Sequence, residues 1–185
     1  AFFGATNADI NGFRLRHAMV KLTWPSTELL VGQYWHMMFV TSCFPVTVSF
    51  NTGTPFQYFA RNPQVRITQK FGNVSLALMA ASQRDFTSPG GSDVLRNAVL
   101  PDMNVQLSYT GDAFLAGLTA GYKRNIPRLS TNSQYKTTTA VEGFSGQAYM
   151  KITSNPVTFK LQGAYLENGF SGLSIGGFAI KSITD

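Results

Sequence analysis

Apolar and polar side chains alternate with period two through most of this chain, and the spacing of a helix is poorly supported almost everywhere. Over 103–110, Met103, Val105, Leu107 and Tyr109 point one way while Asn104, Gln106, Ser108 and Thr110 point the other. Over 64–71, Val65, Ile67, Gln69 and Phe71 oppose Gln64, Arg66, Thr68 and Lys70. Over 144–153, Phe144, Ala148, Met150 and Ile152 oppose Ser145, Gln147, Tyr149, Lys151 and Thr153. Over 157–166, Val157, Phe159, Leu161 and Tyr165 oppose Thr158, Lys160 and Gln162. Weaker alternation at 10–23, 28–39, 74–83, 113–123 and 174–182 brings the expected strands to about nine. The first of these changes phase: Arg14 and Arg16 oppose Phe13 and Leu15, yet Ala18, Val20 and Leu22 continue the arginine parity. A bulge near His17, or a face covered by another subunit, accounts for the change.

The connections alternate as strictly as the side chains. Short turns fall at 25–27, 72–73, 111–112 and 154–156, each with turn-forming residues, and long connections at 40–62, 84–102 and 125–143. One end of the sheet therefore carries tight turns and the other large loops, which is the layout of an outer-membrane barrel. Alternation alone does not separate such a barrel from a soluble one, because turning the faces inside out leaves the pattern unchanged.

Composition decides more. Charged residues make up only 13% of the 185, and the polar faces are largely Asn, Gln, Ser and Thr where a soluble barrel would carry Lys and Glu. The hydrophobic share of 44% excludes disorder, and no apolar window reaches the roughly 18 residues of a membrane-spanning helix. The net charge of +6 is spread over scattered cations with no dense patch, which argues against a nucleic-acid partner. The single Cys43 makes no internal disulfide, and no metal-ligand or triad motif surrounds Cys43, His17 or His36. Neither an enzyme nor a cofactor is expected, and the two histidines read as structural.

Two groups of residues are candidates for function. If lipid faces the apolar parity, the cations on the polar parity, Arg14, Arg16, Arg66, Lys70, Lys151 and Lys160, line a lumen and raise the local anion concentration. The competing reading pairs them with acids such as Glu28. The connection 40–62 is too apolar for an exposed loop, with Phe44, Phe50, Phe56 and Phe59 along it and Arg61 at its end. It is expected to be buried, as a constriction inside the barrel or against a neighbouring subunit. Trp24, Trp35, Tyr109, Tyr122, Tyr149 and Tyr165 are candidates for interfacial aromatic girdles.

Three stretches carry a family resemblance: FRLRHAMV at 13–20, VGQYWHMMF at 31–39 and RNPQVRITQKFGNVSLAL at 61–78. With LPDMNVQLSY and the closing GGFAIKS they resemble the DcaP-like trimeric outer-membrane porins. The resemblance implies an all-β, transmembrane antiparallel β-barrel of around sixteen strands, of which about nine are present here. Residues 1–185 are then a single barrel portion, incomplete at both ends. It further implies a homotrimer in contact with outer-membrane lipid in a Gram-negative bacterium, and passive diffusion of small hydrophilic, anionic solutes such as dicarboxylates. A small closed or plugged barrel with a structural or interaction role is the alternative.

Overall fold

The computed structural model describes residues 2–3, 13–14, 16–44, 58–83, 97–169 and 172. Ten strands appear among them: β1 (Phe2–Phe3), β2 (Phe13–Arg14), β3 (Ala18–Thr23), β4 (Thr27–Trp35), β5 (Arg61–Phe71), β6 (Val74–Ala81), β7 (Asp102–Thr110), β8 (Phe114–Asn125), β9 (Val141–Ser154) and β10 (Val157–Leu166). The strands β3 to β10 form one antiparallel meander in which every strand pairs with its neighbours in sequence. The pair β1–β2 is a separate two-stranded ribbon. Eight of the nine expected strands are therefore present, and the ninth, at 174–182, lies outside the described residues.

The period-two pattern sets the register. Leu107 faces Leu118, which faces Ala148, so the apolar parities of β7, β8 and β9 fall on one surface. On that surface Val65 is 50% exposed and Leu118 62%. On the opposite surface Gln64 and Asn104 are 5% exposed and Gln147 4%. The apolar side chains thus face out and the amides face in, the reverse of a soluble barrel and the arrangement a lipid-facing wall requires. The short connections of the meander, at 24–26, 72–73, 111–113 and 155–156, all lie at one end, and the long ones at the other.

Two sequence expectations change. The first strand is broken: Arg14 pairs with Phe2 in the ribbon, Arg16 lies in the connection, and β3 begins only at Ala18. The phase change at His17 is this break. The second strand ends at Trp35, four residues short of the expected Phe39, because the chain turns at His36 and leaves the sheet. Within β4, Gly32 has φ of +127°, and a Cβ there would lie 2.3 Å from the Ala18 carbonyl oxygen. Glycine is required at this point for β3 to approach β4. Among the described residues β3 and β10 each pair on one side only, so the sheet is not closed.

Candidate functional site

The segment His36–Phe44 leaves the end of β4 and lies across the polar face of the sheet. Side chains of the wall donate to one backbone carbonyl after another along its path. Gln64 Nε2 donates to the carbonyls of Tyr34 (2.9 Å) and Trp35 (3.0 Å), and Arg66 Nη2 to that of Trp35 (2.6 Å). Gln106 Nε2 then reaches the Met37 carbonyl (3.3 Å), Gln147 Nε2 that of Met38 (2.7 Å) and Lys160 Nζ that of Phe44 (2.9 Å). A backbone that has left its ladder must find other partners when buried, and the amides of the polar parity supply them.

Apolar contacts fill the gaps between these bonds. Met37 packs with Ala77, Met79 and Ala81, Met38 with Tyr58, Ala60 and Leu166, and Val40 and Cys43 with Tyr149 and Leu115. Small residues on β6 leave room for Met37. On β8 the small residue is Gly117, where a Cβ would lie 2.3 Å from the Tyr149 ring. Tyr149 therefore lies flat against the wall beneath the segment and faces the polar side, so it is not a girdle residue. Burial pushes the Cys43 thiol up from its ordinary value, and Cys43 is free and buried.

His36 fixes the start of the segment. Its Nδ1 accepts the Met38 N–H at 3.2 Å, its ring stacks on Tyr58 at 4.2 Å, and its Nε2 faces Asp102 on β7. Asn104 Nδ2 donates to the other oxygen of Asp102 at 2.8 Å. The sequence gives no warning of this cluster, since His36 and Asp102 stand far apart in an apolar and a turn-like context. One signal was present: Asp102 and Asn104 share the polar parity of β7.

Of the residues expected in a constriction or interface loop, Phe59 is buried, Phe44 is half-buried against Phe39 (5.2 Å), and Phe50 and Phe56 lie outside the described residues. Arg61 lies on the parity of Val65, with its guanidinium over the Trp35 ring at 3.7 Å. It braces the root of the connection there.

The expected lumen cations separate into groups. Arg14 pairs within the two-stranded ribbon and Arg16 lies in the connection before β3, so neither belongs to a strand of the large sheet. Arg66 does, on its polar face, but its guanidinium bonds to the Trp35 carbonyl and to Gln64 Oε1 at 2.7 Å. Lys70 pairs with Glu28 at 2.7 Å, and Lys21, which the sequence reading passed over, pairs with the same carboxylate at 3.0 Å. Lys123, also passed over, is buried on the polar parity of β8 and donates to the Asn168 carbonyl. Lys151 and Lys160 stand directly opposite each other on β9 and β10.

Of the girdle candidates, Trp24 and Tyr109 are exposed at the short-turn end and Tyr165 at the other, where Tyr122 packs on Phe144 at 5.2 Å. Among the described residues no helix is long and apolar enough to cross a membrane, and no three His, Cys, Asp or Glu side chains come together to hold a metal.

No protein-family model matches the sequence, and no curated protein matches it significantly. Among solved structures the chain is similar to the outer membrane channel DcaP of Acinetobacter baumannii, with a TM-score of 0.70 and 22% sequence identity. The match covers 93% of this chain and 46% of that one, so the chain spans about half the length of the channel it resembles. The likeness agrees with the resemblance seen in the strand sequences. The chain accordingly has the fold of part of an outer-membrane channel, an antiparallel porin-type β-barrel wall with its polar side chains on the inner face.

Proposed function

We propose that this chain is part of the wall of a passive diffusion porin in a bacterial outer membrane, and that His36–Phe44 narrows its lumen. The observation that carries the reading is the docking of this segment on the polar face through Gln106, Gln147 and Lys160, with Gln64 and Arg66 holding its root at the end of β4. A stretch of backbone held by wall side chains inside a polar lumen reduces the open cross-section without closing the pore by a moving part. The apolar face, rich in Leu, Val and Phe, then meets outer-membrane lipid. No reaction and no cofactor enter this reading; the protein supplies width and field, and solutes move down their gradients.

Small hydrophilic anions are the proposed cargo, because lysines on the inner face act in a confined space with low-dielectric walls. Residues 1–185 act as a single barrel portion. The resemblance to DcaP-like porins supports a homotrimer. The test is conductance of the whole native protein in planar bilayers. Discrete open steps, with a reversal potential favouring chloride over potassium in a salt gradient, are expected. A barrel that inserts without passing current has its lumen plugged and serves a structural or interaction role. A cation-selective channel removes the anionic cargo from the proposal.

A further inference from the structure

Lys151 and Lys160 differ from the other described cations of the polar face in one respect. Arg66 and Lys123 give their donors to backbone carbonyls, and Lys21 and Lys70 share the Glu28 carboxylate. Lys160 likewise donates to a carbonyl, that of Phe44, but Lys151 and Lys160 also stand directly opposite each other across the β9–β10 ladder. Like charges directly opposite on one face are destabilising. No described carboxylate compensates them within ion-pair distance: Glu28 is held by the other lysines, Asp102 by His36, and Glu167 by Phe144 and Tyr165. Asp112 and Glu142 sit in the connection 111–113 and beside Arg124 at opposite ends of the wall.

The surroundings sharpen the contrast. Leu115 is the β8 neighbour of Lys151, and it packs on the buried group of Val40, Cys43 and Tyr149. The Lys160 contact with Phe44 and the packing of Leu115, the ladder neighbour of Lys151, on Cys43 place both lysines beside the inward segment. The Lys160 amine rests on the Phe44 carbonyl, a neutral acceptor that leaves its charge uncancelled. Two cations against an apolar patch are screened less than on an open surface, so an anion is attracted more strongly there.

We infer that Lys151 and Lys160 form an anion seat, in which one carboxylate, phosphate or sulfate group bridges the two ammonium groups at the edge of the inward segment. Bridging replaces the repulsion of the pair with two charge-assisted hydrogen bonds. Lys160 exchanges the Phe44 carbonyl for the anion as it arrives and returns to it as the anion leaves. Such a weak, renewable contact is what conduction needs. The inference rests on the porin reading for the seat's role in transport, but not for its existence.

The test therefore has two arms, both on the whole native protein with inorganic phosphate as the probe. In detergent, phosphate at matched ionic strength is expected to raise the unfolding temperature of the wild type. The double variant Lys151→Gln with Lys160→Gln should bind it about tenfold more weakly. Lys70→Gln should bind it as the wild type does. In bilayers, phosphate is expected to reduce the chloride current of the wild type, and the double variant should lose both this block and most of its preference for chloride. The seat is overturned if phosphate stabilises the wild type and the double variant alike, or stabilises neither. Stabilisation confined to the wild type, without any channel current, keeps the seat and overturns the porin reading.

Discussion

His36 Nε2 lies 3.3 Å from Asp102 Oδ2, although His36 directly follows β4 and Asp102 opens β7, three places away in the sheet. Because Nδ1 of the same ring accepts the Met38 N–H, the ring proton sits on Nε2 and points at the carboxylate. The contact is buried on both sides and fixes where the chain leaves β4. Substituting His36→Ala removes this bond and the stack on Tyr58, and leaves the carboxylate without its ring partner. A loss of about 2–3 kcal/mol is expected, read in urea unfolding of the refolded protein. In bilayers the variant should show larger, noisier conductance steps; steps unchanged in size and noise would separate His36 from the position of the segment.

Arg66 was a candidate for setting charge selectivity, but its guanidinium is occupied by the Trp35 carbonyl and Gln64. Arg66→Gln is expected to cost about 1.5–3 kcal/mol, the range for hydrogen bonds to a charged group, and to loosen the root of the inward segment. Its reversal potential should stay close to that of the wild type. A large loss of anion preference without loss of stability would return Arg66 to the selectivity role.

The outward apolar face offers a direct check of membrane contact. Leu107 and Leu118 are register partners in the middle of β7 and β8, and both are at least half exposed. If the face meets lipid, Leu118→Arg costs about 2–4 kcal/mol in folding into liposomes. In a wall facing water the same change at an exposed site would be nearly neutral. Refolding titrations into vesicles distinguish the two.

Gly32 permits the close approach of β3 to β4. Gly32→Ala would force a side chain into φ of +127° and against the Ala18 carbonyl. A cost of about 1–3 kcal/mol is expected from the backbone alone. It should show as faster hydrogen exchange in β3 with β7 to β9 unaffected.

At the long-connection end, the Phe144 N–H donates to Glu167 Oε2 at 2.9 Å and the Tyr165 hydroxyl to Oε1 at 3.0 Å. These bonds, the backbone one foremost, hold the Glu167 carboxyl below its ordinary range. A depressed carboxyl contributes its stability above the unfolded value, about 4.3, and loses it as pH falls through the folded value. The protection of the Phe144 amide relative to its intrinsic exchange rate should fall on acidification through that window, and in Glu167→Gln it should lose this pH dependence. An unchanged profile in the variant would assign the acid effect to another group.

The strands were legible because period two and turn residues are local. The run 157–166 reappears as β10 without a change of boundary, since nothing but pairing decides it. The break at His17 was visible only as a conflict of parity, because the cause lies in a neighbouring ribbon formed with Phe2 and Phe3. The early end of β4 was not visible, since VGQYWHMMF continues to suit a strand and only the donors on β5, β7, β9 and β10 draw the chain inward. The cations show the same division. Parity places Arg66, Lys70, Lys151 and Lys160 on the polar face, but which of them are already paired depends on partners from other strands.

The meander builds its ladders between neighbours, so each hairpin can form as soon as its own two strands exist. The inward segment obeys a different schedule. The partners of Met37, Met38 and Phe44 lie 69, 109 and 116 residues further along the chain. Closing such long loops carries an entropic cost that pairing of adjacent strands avoids. The wall is therefore expected to assemble first, with His36–Phe44 settling against it last. Under the proposed porin reading, the lumen narrows only with the final folding event, and a protease should cut within His36–Phe44 until β10 is in place.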